Sequence, residues 1–128
     1  MRTLAALTLM LFVMAGYGLE LGSRLLEYVE REYGTPARTR LENWEALVAE
    51  YSDSPEPLQL QAVNRFFNQR ESRSDLAHWG ESDYWATPVE FLATDAGDCE
   101  EYANAKYMTL RALGIPDERM RITYVDAR

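Results

Sequence analysis

Apolar residues in this 128-residue chain recur mainly at helical spacing. Residues 21–33 and 38–51 each place an apolar side chain at every third or fourth position, and Gly34 separates the two segments. Residues 52–57 are rich in turn formers, and a third helix is predicted after them. Its expected apolar side carries Leu60, Val63, Phe66 and Phe67. These stripes predict helices that each pack one face against a shared core.

Residues 120–125 are the segment that alternates as a strand does. Met120, Ile122 and Tyr124 alternate there with Arg121, Thr123 and Val125. A lone strand forms no sheet. We therefore expect most of the sheet that this strand joins to be missing from the chain.

The chain is strongly acidic, with a net charge of −8 and a pI of about 4.6. Such a surface repels phosphate backbones, and no stripe of basic residues offsets it. We therefore expect no nucleic-acid partner.

The first 18 residues have the composition of a cleavable secretory signal. Arg2 precedes an apolar run from Leu4 to Met14, and small residues follow at Ala15 and Gly18. Glu20 ends the apolar stretch well short of the roughly 20 residues that a bilayer span needs. We expect a signal peptide over residues 1–18 and an exported domain over residues 19–128, with an uncleaved membrane anchor as the alternative.

Two helix starts carry capping sequences. Residues 87–90 supply a threonine cap, a proline at the first helical position and a glutamate three residues after the cap. Asp98 and Glu101 repeat the arrangement and predict a helix from Cys99 to about Ala112. Ala103, Tyr107 and Leu110 are expected to continue the face that starts at Cys99.

Cys99 is the chain's single cysteine, and its position at a helix start supports two interpretations. In the first, Asp98 is a structural cap and Cys99 is simply the first helical residue. In the second, the positive end of the helix favours a thiolate, and the amide at the helix start donates to an oxyanion. Spacing by itself does not choose between them.

Acidic residues surround this thiol and oppose its ionisation. Asp98, Glu100 and Glu101 place negative charge beside the site where a thiolate would form. A bound calcium ion would resolve the conflict, because calcium takes carboxylate oxygens and neutralises the local charge. The cluster lacks the spacing of a full calcium loop, so it is a weak signal when taken alone.

A catalytic base for Cys99 is not evident from spacing. The single imidazole is His78, which lies in the long polar and aromatic segment of residues 68–85. Cysteine–histidine chemistry requires an imidazole within hydrogen-bond reach of the thiol. Since nothing in the spacing connects the two residues, we expect a structural or rim role for His78.

Several short motifs together resemble a known family. They are residues 83–88 (Asp-Tyr-Trp-Ala-Thr-Pro), 90–92, 97–100 (Gly-Asp-Cys-Glu), 102–103, 106–107 and 121–125, with further matches at 63–64, 66–68 and 79–80. Over residues 41–125 the chain resembles the bacterial transglutaminase-like cysteine proteinases, and within them the LapG-type periplasmic proteases.

The resemblance implies an α+β fold of the papain-like and transglutaminase-like kind. N-terminal helices and the nucleophile helix would pack on an antiparallel sheet, most of which would lie beyond this chain. Cys99 would be the nucleophile, and Asp98 and Glu100 would bind calcium. Glu101 occupies the place where the family more often has Asp, and we assign it as the third acid of the calcium set.

The resemblance also implies partners and a compartment. The substrate would be the N-terminal region of a large surface adhesin, whose cleavage releases cells from a biofilm. The regulator would be the periplasmic domain of an inner-membrane cyclic-di-GMP receptor that sequesters the protease. A periplasmic location agrees with the predicted signal peptide.

The family's catalytic His and Asp would follow the segment 121–125, so neither is assigned here, and Asp126 is too early to be that acid. We therefore expect this polypeptide to be an inactive fragment of a calcium-dependent periplasmic cysteine protease. The alternative is a non-catalytic binding module that sequesters the receptor or the adhesin. A third alternative is an unrelated small exported helical protein with an incidental thiol.

Overall fold

The computed structural model describes residues 18–80, 86–123 and 125. Its helices are α1 (Ser23–Tyr33), α2 (Thr35–Tyr51), α3 (Glu56–Phe67), α4 (Asp75–Trp79), α5 (Pro88–Thr94) and α6 (Cys99–Ala112), followed by a 3-10 helix at Asp117–Arg119. Two short strands, β1 (Glu71–Ser72) and β2 (Ala96–Gly97), complete the described elements.

The predicted helices are present, with three differences. α1 begins at Ser23 instead of position 21. α2 begins at Thr35 instead of position 38, because Pro36 fits the first turn of a helix and Gly34 adopts a φ of 97° just before it. On α3, Val63 and Phe67 are buried as expected, but Leu60 is 41% exposed. The apolar side of α3 is therefore narrower than the sequence predicts.

A series of contacts between aromatic rings forms the centre of the core and joins four helices. Trp44 of α2 meets Phe67 of α3 edge to face, with ring centroids 6.5 Å apart. Phe67 stacks on Phe91 of α5 at 6.0 Å, and Phe91 meets Tyr102 of α6 at 4.8 Å. Because large rings bury the most apolar area per side chain, this chain of contacts fixes α6 against the other helices.

The described sheet is a parallel pair. Glu71 pairs with Ala96 and Ser72 with Gly97, so β2 enters the sheet two residues before Cys99. The strand predicted over residues 120–125 does not form in residues 120–123 and 125, and Tyr124 lies outside the described part. Ile122 and Val125 are exposed there, since an extended segment needs a hydrogen-bonded neighbour to become a strand. The described fold is helix-rich with a small sheet, which agrees with the α+β class.

The predicted signal peptide lies outside the described residues apart from Gly18. Within residues 18–80 and 86–123, no helix has both the length and the apolar character that crossing a membrane requires.

Candidate active site

Cys99 is the first residue of α6, and its side chain is exposed. The predicted capping box is confirmed beside it. Asp98 Oδ1 accepts from the N–H groups of Glu100 (3.1 Å) and Glu101 (3.3 Å), and Glu101 Oε2 accepts from the Asp98 N–H at 2.6 Å. These bonds satisfy N–H groups that a helix start otherwise leaves without partners, so the backbone around Cys99 is held firmly.

Close packing around the capping box explains why position 97 is a glycine. Glu101 is buried, with 4% of its surface exposed, because its carboxylate turns inward to the Asp98 amide. A Cβ atom on Gly97 would lie 2.5 Å from ring carbons of Phe91 and 3.0 Å from Glu101 Oε2. The glycine therefore lets the chain pass between the core and the cap immediately before Cys99.

The connection that leads to Cys99 is held by β1. The Glu71 N–H donates to Asp95 O at 3.0 Å, and the Arg73 N–H donates to Gly97 O at 2.7 Å. Asp95 adopts the left-handed conformation with a φ of 60°, which turns the chain from α5 into β2. The strand pair thus fixes the direction in which the chain enters α6.

Two arginines hold the same connection, and sequence reasoning missed both. Arg40 of α2 donates to the carbonyl oxygens of Leu92 (2.6 Å) and Ala93 (2.9 Å) at the end of α5. Arg70 pairs with the Asp95 carboxylate at 2.7 Å. Arg40 reaches carbonyls more than 50 positions further along the chain, and no local pattern indicates such a contact.

A cleft of about 460 Å³ opens beside the thiol. It is lined by Asn68, Ser72, Cys99, Tyr102, Ala103 and Lys106. These residues come from the end of α3, from β1 and from α6, so the cleft forms where α6 meets the segment between α3 and α4. The exposed Cys99 side chain can therefore be reached from the cleft.

Lys106 is the basic residue among those that line this cleft, and the sequence analysis did not assign it. Its Nζ donates to Asn68 Oδ1 at 2.7 Å and lies 6.0 Å from the centre of the Tyr102 ring. Burial lowers the pKa of the Lys106 ammonium and raises the pKa of the Tyr102 hydroxyl, which donates to the Arg70 carbonyl. One signal was available: Lys106 is the only lysine among thirteen lysines and arginines.

His78 lies outside the cleft beside Cys99. Its Nε2 is 2.9 Å from Thr94 Oγ1, and its ring meets Trp79 edge to face at 4.3 Å. It does not line the Cys99 cleft. The described residues therefore do not bring the chain's imidazole to its thiol.

The three candidate calcium ligands are adjacent in sequence but differ in environment. Asp98 and Glu100 are partly exposed, whereas Glu101 is buried and engaged in the cap. Within residues 18–80 and 86–123, no group of three or more His, Cys, Asp or Glu side chains has the arrangement of a metal site. The donor chemistry fits a hard cation at Asp98 and Glu100, and further oxygens would be needed for the six to eight ligands of calcium.

Comparison with known proteins gives a consistent result. Residues 38–128 match the model of the bacterial transglutaminase-like cysteine proteinase family. Calcium-bound LapG of Legionella pneumophila is 36% identical, with a TM-score of 0.62, over 73% of this chain and 52% of that one. EGTA-treated LapG from the same organism is 35% identical, with a TM-score of 0.63, over 75% and 51%. The chain spans about half the length of these solved structures, and no curated protein sequence matches it.

Proposed function

We propose that this chain, which belongs to the bacterial transglutaminase-like cysteine proteinases, carries the nucleophile of a calcium-dependent periplasmic peptidase. The observation that carries the proposal is the exposed Cys99 thiol at a capped helix start beside an open cleft. A single buried cysteine is usually an inert small hydrophobe. Exposure at the positive end of a 14-residue helix favours the reactive interpretation instead.

The chemistry follows from the start of α6. Cys99 Sγ attacks the carbonyl carbon of the scissile peptide bond, and negative charge develops on the carbonyl oxygen. The Asp98 side chain occupies the N–H groups of Glu100 and Glu101, so the Cys99 N–H is the donor that we assign to this oxyanion. The thiol proton passes to a general base, which gives it to the departing amine as the thioester forms. Water then hydrolyses the thioester and regenerates the thiol. We expect the histidine base to lie after the 121–125 segment, as the family resemblance implies.

Calcium gives the acidic residues a role in the same site. We assign Asp98 and Glu100 as carboxylate ligands and include Glu101 as the third acid of the set. Glu101 would have to leave its buried bond to the Asp98 N–H in order to bind the ion directly. When bound, the cation offsets the negative charge beside the thiolate. The existence of a calcium-bound form of Legionella pneumophila LapG supports calcium as the cation.

Thermal unfolding with three isosteric variants tests the calcium set. Millimolar calcium is expected to raise the melting temperature of the wild-type chain, since a ligand at a hundred times its Kd adds about 2.7 kcal/mol. Asp98→Asn and Glu100→Gln are expected to lose this shift, while Asn still caps the helix. Glu101→Gln separates the two roles of that residue: a lost shift assigns it as a ligand, and a retained shift restricts it to the cap.

Two controls accompany the measurement. Glu118→Gln removes one exposed carboxylate from the 3-10 helix and is expected to keep the full calcium shift. Magnesium at the same concentration is expected to act more weakly, because it prefers a smaller and more rigid shell. An equal calcium shift in Asp98→Asn and in the wild type would place the ion elsewhere.

The substrate and partners are proposed from the family resemblance. The substrate is the N-terminal region of a large surface adhesin, and its cleavage releases cells from a biofilm. The regulator is the periplasmic domain of an inner-membrane cyclic-di-GMP receptor. Both assignments rest on the family resemblance alone. Incubation of the adhesin region with a chain that spans the relatives' length is expected to yield one cut that Cys99→Ala abolishes and the receptor domain inhibits.

We expect the 128-residue polypeptide by itself to cleave no peptide, with or without calcium. Its single histidine is hydrogen-bonded to Thr94 and does not line the cleft. Incubation with the adhesin region, followed by mass spectrometry of the products, checks this. Turnover that depends on both Cys99 and His78 would overturn it. Tight binding to the receptor or the adhesin without cleavage would instead favour the non-catalytic binding module.

A further inference from the structure

Lys106 has an unusual place among the cations of this chain. Twelve of the thirteen basic residues are arginines, and seven of these arginines form ion pairs with carboxylates in the described structure. Lys106 differs in kind, because an ammonium is a compact point charge with three donors and no fixed fork geometry. It differs in place as well, since it lines the cleft of the proposed nucleophile.

Nothing acidic in the described residues pairs with this ammonium. Its recorded hydrogen-bond partner there is the neutral Asn68 amide oxygen, and its recorded ring partner is Tyr102. Burial lowers the pKa of the Lys106 ammonium, which reflects partial loss of water around the charge. A partly dehydrated cation without a counter-ion is costly, and a carboxylate that enters the cleft offsets that cost. This is notable in a molecule with a net charge of −8.

The neighbouring groups add donors for the same ligand. Asn68 accepts the hydrogen bond from Lys106 through Oδ1. Its amide NH₂ group is a donor and can bind an oxygen of the ligand. The Ser72 hydroxyl lines the cleft as well. Together these side chains present an ammonium, an amide and a hydroxyl, a donor set that suits a carboxylate.

Helix geometry relates this donor set to the thiol. Cys99, Ala103 and Lys106 follow one another at four- and three-residue steps, so they lie along one face of α6. The seven helical steps from Cys99 to Lys106 span about 10 Å of helix axis. An extended peptide covers that distance in about three residues.

We infer that Lys106, with Asn68, binds an acidic side chain of the peptide substrate two to three residues from the bond that Cys99 attacks. The inference rests on the proposed function, and it makes Lys106 a specificity-determining residue of that site. It assigns the substrate class as peptides with an Asp or Glu at this spacing from the scissile bond.

Two thiol-directed probes that differ only in charge test the inference. Chloroacetyl-Ala-Glu-amide and chloroacetyl-Ala-Gln-amide both alkylate a cysteine without needing a catalytic base. The ratio of their labelling rates at Cys99 removes any effect of thiol ionisation, because both probes meet the same thiol. We expect the Glu probe to label the wild-type chain about fivefold faster, as for an ion pair at a half-exposed site. The ratio should fall as salt is raised.

Variants identify the cation responsible. Lys106→Met is expected to bring the ratio to about one, and Lys106→Arg is expected to restore most of it. Arg24→Met is the matched control, since it removes one exposed positive charge on α1, away from the cleft, and should leave the ratio unchanged. Equal rates for both probes in the wild type, or an unaltered ratio in Lys106→Met, would overturn the inference.

A second measurement does not use the thiol. Reductive methylation with ¹³C-formaldehyde labels the only lysine and keeps its charge, so Lys106 gives a single side-chain resonance. Acetyl-Ala-Ala-Glu-Ala-amide is expected to shift this resonance at lower concentration than the Gln peptide, in both wild type and Cys99→Ala. An unreactive thiol with a Glu-selective shift would count against the proposed nucleophile alone. A reactive thiol without charge selectivity would count against the Lys106 assignment alone.

Discussion

Two faces of helix α6 differ in almost every respect. The inner face is Glu101, Ala105, Thr109 and Ala112, all buried at regular helical steps. The cleft face is Cys99, Ala103 and Lys106, which are exposed or partly exposed. The inner face contains no large apolar side chain and uses small or hydrogen-bonded residues. This helix therefore packs closely on one side, and its cysteine and its lysine line an open cleft on the other.

The inner face depends on one internal hydrogen-bond chain. Trp44 Nε1 donates to Thr109 Oγ1 at 2.8 Å, and the Thr109 hydroxyl donates to the Ala105 carbonyl at 2.6 Å. Both Trp44 and Thr109 are fully buried. Small side chains let the indole approach the helix closely, and the threonine hydroxyl satisfies the indole N–H.

Gly97→Ala should have the largest effect, because the added methyl group would push the start of α6 away from α5. The new Cβ would lie 2.5 Å from the Phe91 ring, which the core does not allow to move freely. We expect a loss of about 2–3 kcal/mol, or roughly 10 °C or more in melting temperature. Thermal unfolding by circular dichroism measures this.

Gly22→Ala is the control for backbone entropy, since its added Cβ meets nothing within 4 Å and its φ of −65° suits any residue. It should change stability by less than about 1 kcal/mol. Equal losses in the two variants would show that the close packing at Gly97 is not what holds the start of α6.

Thr109→Val tests the inner face with an intermediate effect. Valine keeps the shape of threonine but removes the acceptor for the indole, and we expect a loss of about 1–2 kcal/mol. Urea unfolding of Thr109→Val, Trp44→Phe and the double variant completes a thermodynamic cycle. A coupling energy near zero would contradict a hydrogen bond that contributes to stability. Labelling of Cys99 by iodoacetamide should change little, because the cleft face is on the other side of the helix.

Lys106→Met should have the smallest effect on stability, and the size of this effect should vary with pH. Burial lowers the pKa of Lys106 in the folded chain below its ordinary value of 10.5. Between the folded and ordinary values the unfolded chain binds more protons, so the wild type gains stability relative to the variant as pH rises through that window. We expect the melting temperature of the wild type to rise by no more than about 3 °C relative to that of the variant, because Lys106 is only partly buried.

Melting temperatures of wild type and Lys106→Met from about pH 8 to about pH 11 measure this gain. The difference between the two proteins removes the titration of groups that both share. If the melting temperature of the wild type minus that of Lys106→Met falls as pH rises, the charged form of Lys106 is better stabilised than its partial burial indicates.

Much of the fold and part of the site could be predicted from the sequence. Both capping boxes formed at the predicted residues, and α6 begins at Cys99 and ends at Ala112 as expected. Helix caps depend on residues three positions apart, so local sequence is sufficient to identify them. The family assignment also came from short local motifs around Cys99, and the family model confirms it.

The buried face of α6 was not predicted from the sequence. Ala103, Tyr107 and Leu110 continue the face that starts at Cys99 and are partly buried, whereas Thr109 on the other side of the helix is completely buried. Periodicity favours the larger apolar side chains as the core face. Here Trp44 fills the space against the helix, so small residues and a hydroxyl occupy the inner side instead.

Sequence alone determined the two capped helix starts at Thr87 and Asp98, the position of the single thiol and the family to which the chain belongs, because these depend on neighbours within a few positions. Only the tertiary structure decided what surrounds that thiol. Arg40 holds the end of α5 from 52 positions away, and Lys106 reaches Asn68 across 38. Such contacts form when helices pack, and their partners are chosen by the shape and charge of the packed surfaces. The cleft beside Cys99 is therefore a property of the fold, although the cysteine itself is visible in the sequence.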